Sequence, residues 1–269
     1  MKSAKILREK IANENRVTTG MLCTFHFWPG MVEMAMKADL DYLIIDLEHL
    51  TFDASMVAEA CAIGRREDFP ILIRPPAAEF TPMRLAMDLG PCGLMVPMVE
   101  SEETMRVIQD AVLMKPRGRR RPGGPGNLWV DDVNYETWKS TVEDNLIILP
   151  QIESRVGLDN VAAIAGHPLT TAIAVGPYDL STDLGVCWDP QADALQDALR
   201  QIREAGRAVG KGMWMIGDGP KLVGQGYRFL CITEPTMFQQ AKLKELSAAT
   251  RAGQSGDSTG MSSPELPLP

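Results

Sequence analysis

The sequence predicts an α/β fold and, within that class, a closed (β/α)8 TIM barrel. Three observations predict it. Eight short runs rich in Val, Ile and Leu recur along the chain, nearly all continuous rather than alternating, as parallel strands covered on both faces are. A stretch with helical periodicity follows each run, and the eight units fill about 250 residues, the size of a barrel. The phosphate fingerprints of the open doubly wound alternative, GxGxxG and GxxxxGKS/T, are absent.

In chain order, an amphipathic helix is expected at 2–14, followed by the first strand at 18–24 (TTGMLCT) and a helix at 30–38. Strands at 41–47 (DYLIIDL), 70–74 (PILIR) and 93–98 (GLMVPM) are unbroken apolar runs, with helical periodicity at 54–66, 80–89 and 101–114. The second half repeats the pattern, with strands at 145–152 (NLIILPQI), 170–176 (TTAIAVG), 211–216 (KGMWMI) and 227–232 (YRFLCI). Their helices are expected at 156–165, 190–209, 217–225 and 235–249. One long connection, 115–144, is rich in Gly and Pro, carries four Arg within 117–121 and includes two Trp. It reads either as a lid or binding loop or as a solvated insertion. Residues 1–250 are assigned to one barrel domain, and the Ser-, Gly- and Pro-rich stretch 251–269 to a disordered tail.

The chain has 269 residues, 45% of them hydrophobic, which is ample for a core. Its net charge of −8 argues against a nucleic-acid binder, which needs a basic face. No apolar run is long enough to span a membrane, and the charged N-terminus lacks a signal-peptide core. Five scattered cysteines form neither a CxxC nor a Cys/His cluster, so a reduced, cytoplasmic protein is expected.

In a barrel the active site lies at the C-terminal ends of the strands. There the second run ends in Asp46, Glu48 and His49, the third in Arg74, the fifth in Gln151 and Glu153, and the sixth in Gly176, Pro177, Tyr178 and Asp179. Glu153 and Asp179 follow adjacent strands, so their side chains reach one point. Two carboxylates plus water suit Mg2+ or Mn2+ better than zinc; the competing reading is that both cap helices, Asp179 one at 180–184. Of three histidines, His49 stands beside a carboxylate at the functional end, either as a general base or as an exposed loop residue. His26 is a second candidate at the mouth, and His167, at the opposite end, reads as structural. Arg74, stiffened by two following prolines, suits an oxyanion or carboxylate, or a salt bridge to Asp46 or Glu48. Backbone N–H groups at 176–181 suit a substrate carboxylate. The triplet Met213-Trp214-Met215 reads as core.

The segments DYLIIDLEHLTFD, ILIRP, GLMVPMVESEE, PQIESRVGLDNVAAIAG and AVGPYDLSTDLG, in this order and spacing, resemble the HpcH/HpaI aldolase/citrate lyase family over roughly residues 15–250. The resemblance implies a (β/α)8 barrel, often a homohexamer with a helix exchanged between neighbours, and class II aldolase chemistry on a metal-stabilised enolate. It makes Glu153 and Asp179 the metal ligands for Mg2+, Mn2+ or Co2+, and His49 the acid/base with Asp46 as its supporting carboxylate. Arg74 would contact the keto oxygen, while 176–179, with Gln151 beside them, would hold the 2-oxo acid. Leu47, Tyr178, RRRPGGPGN and Ile232-Thr233-Glu234-Pro235 depart from the usual family pattern.

The function so implied is reversible cleavage of a 4-hydroxy-2-oxo acid to pyruvate, or a related 2-oxo acid, and an aldehyde. The expected partners are these small molecules and further copies of the chain, as a hexamer or trimer. The alternatives are oxaloacetate decarboxylation, acyl-CoA lyase chemistry with the basic 117–121 cluster as its only phosphate site, or a non-catalytic 2-oxo acid binder.

Overall fold

The computed structural model describes residues 1–50, 52–131 and 134–254. Eight parallel strands close a barrel in sequence order: β1 (Thr18–Cys23), β2 (Tyr42–Asp46), β3 (Ile71–Arg74), β4 (Gly93–Val96), β5 (Ile147–Ile152), β6 (Ile173–Val175), β7 (Met213–Ile216) and β8 (Phe229–Thr233). Seven strands lie within their predicted runs, and β8 runs one residue past its own, to Thr233. The strands are almost wholly buried because the barrel interior covers one face and the helices cover the other.

The helices are α1 (Lys2–Ala12), α2 (Met31–Lys37), α3 (Ala54–Arg66), α4 (Phe80–Asp88), α5 (Glu102–Val112), α6 (Tyr135–Thr141), α7 (Arg155–Asp159), α8 (Val161–Gly166), α9 (Pro177–Asp183), α10 (Asp193–Ala208), α11 (Gly219–Gly224) and α12 (Pro235–Gln254). Four differ from expectation, one of them α6, for which no helix was expected. The helix expected at 156–165 is divided at Asn160, whose amide donates to Glu100 O at 2.8 Å and ties the break to the loop after β4. Helix α9 begins at Pro177, with Gly176 as its N-cap, so Asp179 lies in its first turn and does not cap it. Helix α12 runs to Gln254, past the boundary expected at 250. The remainder of the expected tail, 255–269, lies outside the described residues.

The 115–144 connection joins α5 to β5, so it lies at the N-terminal end of the barrel, away from the mouth. It forms a 3-10 turn at Pro125–Trp129 and then α6. Trp129 donates to Gly90 O at 3.2 Å, and the N-terminal ammonium donates to Thr141 O at 2.6 Å. Helix α1 covers the same end, with Leu7 buried, and Lys10 meets Asp41 at 2.6 Å.

Inside the barrel, a polar chain crosses the core. Trp214 Nε1 donates to Tyr42 Oη at 2.8 Å, and Tyr42 donates to Leu230 O at 2.7 Å, so both buried rings are hydrogen-bonded. Gly20 makes room for this: a Cβ there would lie 2.4 Å from the Tyr42 ring. The Met213-Trp214-Met215 triplet is core, as its sequence indicates.

Candidate active site

The parallel register pairs Asp46 of β2 with Arg74 of β3 at the C-terminal ends of their strands. Arg74 donates from Nε to Asp46 Oδ1 at 2.8 Å and from Nη2 to Asp46 Oδ2 at 2.6 Å, and both side chains are buried. The chain turns at once after Asp46, whose Oδ1 also accepts the Glu48 N–H at 2.9 Å. That turn carries the Glu48 carboxylate back over the guanidinium, Oε2 lying 3.1 Å from Arg74 Nε. The same oxygen is 3.8 Å from His49 Nε2, and neither contact has hydrogen-bond geometry. The carboxylate within 4 Å of His49 is therefore Glu48 and not Asp46. The His49 side chain is half exposed. His167 lies in the turn before β6, where its Nδ1 accepts the Leu169 N–H at 3.3 Å.

At the end of β5, Gln151 and Glu153 are buried side by side. Gln151 donates from Nε2 to Glu153 Oε1, and Met98 N–H donates to Glu153 Oε2 at 2.8 Å. Met98 reaches that position with φ 49, a left-handed conformation that ordinary side chains avoid. Gly176, at the start of α9, closes on the same carboxylate: a Cβ there would lie 2.2 Å from Glu153 Oε1. The glycine of the GPYDLS segment is thus required by contact with Glu153. Asp179 is exposed in the first turn of α9, near enough for its charge to act on both Glu48 and Glu153.

The electrostatics are unbalanced. Asp46, Glu48 and Glu153 gather around one guanidinium, Asp179 adds its charge to Glu48 and Glu153, and Arg74 is committed to Asp46. Burial pushes Glu153 up to about 8, and the charges of Glu48 and Asp179 add to this against the Met98 N–H and Arg74. Burial also raises Glu48, opposed by Arg74 and His49 and reinforced by Asp46 and Asp179. Burial works to lower Arg74, but Asp46, Glu48 and Glu153 outweigh it and hold the guanidinium charged. Glu48 Oε2 and Gln151 Oε1 are buried with no hydrogen-bond partner. A hard cation suits this surplus of oxygen donors and negative charge. Among the described residues, no three His, Cys, Asp or Glu side chains form a cage by themselves.

The sequence model of the HpcH/HpaI aldolase/citrate lyase family matches residues 21–216, which span all of these positions. The chain belongs to this family. Among its HpcH/HpaI relatives, the hydroxypyruvate/pyruvate aldolase of Deinococcus radiodurans is 34% identical, with 68% of this chain and 67% of that protein covered. The hydroxypyruvate/pyruvate aldolase of Roseovarius nubinhibens is 31% identical, over 68% of this chain and 72% of that one. The barrel superposes on an HpcH/HpaI aldolase/citrate lyase family protein from Burkholderia cenocepacia with a TM-score of 0.81. That match has 21% identity and covers 91% of this chain and 98% of the other, which shows the shared fold.

Met98 is the site residue that sequence reasoning missed, whereas Glu48 was singled out beside His49 and as a partner of Arg74. The turn of Glu48 back onto Arg74 depends on the Asp46 hydrogen bond. Nothing in the run GLMVPM marks Met98 as a donor, because its role lies in its backbone.

Proposed function

We propose that this chain is a class II, pyruvate-type aldolase that cleaves a 4-hydroxy-2-oxo acid to a 2-oxo acid and an aldehyde, and runs the reverse addition. The observation that carries the reading is the charged Arg74 held among surplus carboxylates beside the start of α9.

Binding comes first. The N–H groups of Tyr178 and Asp179, in the first turn of α9, have no helical acceptor and suit the substrate carboxylate. Gln151, buried beside Glu153, supports the same end of the substrate. Glu153 and Asp179 are the residues that would hold a divalent cation, Mg2+, Mn2+ or Co2+, and their oxygen-only donor set fits such a hard ion. When bound, that cation supplies Lewis-acid withdrawal of electron density from the 2-oxo group.

Cleavage of the C3–C4 bond leaves its electron pair on the 2-oxo acid fragment, as an enolate. Arg74 is positioned to donate to the developing oxyanion, and its pairing with Asp46 fixes it there without reorganisation. His49 takes the proton of the C4 hydroxyl as the aldehyde forms. A proton returns to C3 and completes the 2-oxo acid. Glu48 faces the ring from 3.8 Å off Nε2 while it carries that proton.

The chain acts as an oligomer of identical copies, as a hexamer or trimer. Helix α12 supports this, since Met237, Phe238 and Leu243 are about 60% exposed along it. A second copy of this chain covers them. The unpaired thiols fit a cytoplasmic setting, and among the described residues no helix is long and apolar enough to cross a membrane.

The test is an acceptor screen with pyruvate and hydroxypyruvate as donors, with and without Mn2+ after chelation by EDTA. Aldehyde-dependent consumption of the 2-oxo acid that needs the cation is expected. Full activity in metal-stripped protein removes the cation from the mechanism. Oxaloacetate decarboxylation with no aldol turnover moves the reaction to carboxyl loss.

A further inference from the structure

The arginine-rich segment after α5 takes no part in the barrel mouth, yet it builds a second cleft of about 900 Å3 on the outside of the barrel. Its walls include Phe80 and Arg84 of α4, Lys115, Arg119 and Arg121 of the connection, and Tyr135 of α6. Arg120 is also part of the wall, with its side chain fully buried. No acidic side chain lines the cleft among the described residues.

Three carboxylates stand behind this wall, among them the buried Glu143, which accepts the Met114 N–H at 2.7 Å and whose charge acts on Arg120. Asp88 accepts from Arg84 at 2.8 Å and from Arg120 at 2.9 Å, and Asp110 lies 3.5 Å from Arg119. Five cations thus meet three anions, in a chain whose net charge is −8. Arg120 Nε and Nη1 are buried with no acceptor, so the segment has more donors than the protein satisfies. Packing like charges together costs free energy that a bound anion would offset. Guanidinium forks match phosphate and carboxylate oxygens two at a time. The volume lies in the small-molecule range of about 300–1,000 Å3, too large for one inorganic ion, and Phe80 and Tyr135 offer aromatic contact.

We propose that this cleft binds a small-molecule polyanion, bearing phosphate or several carboxylates, at a site separate from the catalytic mouth. Arg119 and Arg121, both exposed, make the direct contacts, while Arg84 and Lys115 add to the field.

The experiment is titration calorimetry on the full chain with pyrophosphate and with citrate, each at constant ionic strength set with chloride. Saturable binding of at least one is expected, and Arg119→Gln/Arg121→Gln should weaken it about tenfold or more. Binding of pyrophosphate alone identifies a phosphate ligand, and binding of citrate alone a polycarboxylate. Lys37→Gln/Arg200→Gln removes the same charge from remote exposed positions and should leave the affinity unchanged. An equal loss in that control, or no saturable binding of either anion, overturns the proposal. Binding that oxalate displaces and Arg119→Gln/Arg121→Gln leaves unchanged assigns the anion to the mouth, and also overturns it.

Discussion

Arg74 clasps Asp46 at two points, at 2.8 and 2.6 Å, in a buried pair that joins the ends of β2 and β3. The pair holds the guanidinium in place at the mouth, where the proposed reaction would develop an oxyanion. Asp46→Ala leaves that guanidinium without its close partner, and a loss of about 3–5 kcal/mol is expected in denaturant unfolding. Arg74→Lys keeps the charge but loses the fork. Its turnover should fall on the order of 10²-fold or more, and a near-normal rate would make the arginine structural only.

His49 and Glu48 are separable from that pair. His49→Ala should slow exchange of the pyruvate methyl protons into D2O by roughly 10²-fold. Glu48→Gln keeps the shape and removes the charge beside the ring, so the same exchange should slow by a smaller factor. Proton NMR of the methyl signal measures both, and unchanged exchange in His49→Ala assigns the base elsewhere.

Glu153 links pH to stability in the metal-free protein. Its carboxyl titrates near 4.5 when unfolded and at about 8 in the fold. Between those values the folded state holds a proton that the unfolded state has lost, so stability falls as pH rises through that window. Glu153→Gln removes the titration and should stabilise the chelated protein at pH 8, on the order of 2 kcal/mol, with little effect at pH 4. Added Mn2+ should raise the Tm of the parent chain at pH 8 and not that of Glu153→Gln. Thermal unfolding at the two pH values, with and without the ion, checks each part.

Helix α12 carries exposed apolar side chains that a second copy would cover. Met237→Asp/Phe238→Asp should lower the assembly mass in sedimentation analysis while the barrel keeps its circular dichroism. An unchanged mass would locate the interface on another face.

The strand order, all eight strands and the mouth residues were legible because they depend on local patterns. An unbroken apolar run marks a parallel strand, and a polar residue at its C-terminal end marks the mouth. The division of helix 156–165 was not legible, because Asn160 is set by a bond to Glu100 from another unit. The place of the 115–144 connection was legible as well: its composition fits a lid, but it follows a helix and precedes a strand, which puts it at the end opposite the mouth.

The sequence by itself determined the barrel, the family and the identities of Asp46, His49, Arg74, Gln151, Glu153 and Asp179. Only the tertiary structure decided how these groups share one another. It gave Asp46 to Arg74 and brought Glu48 to His49, set the left-handed Met98 N–H on Glu153, and pressed Gly176 against the same carboxylate. It also gathered the arginines around a cleft of their own. The reason is physical: a side chain's identity is written at one position, whereas its protonation and its partners depend on charges and burial contributed by strands far apart in the chain.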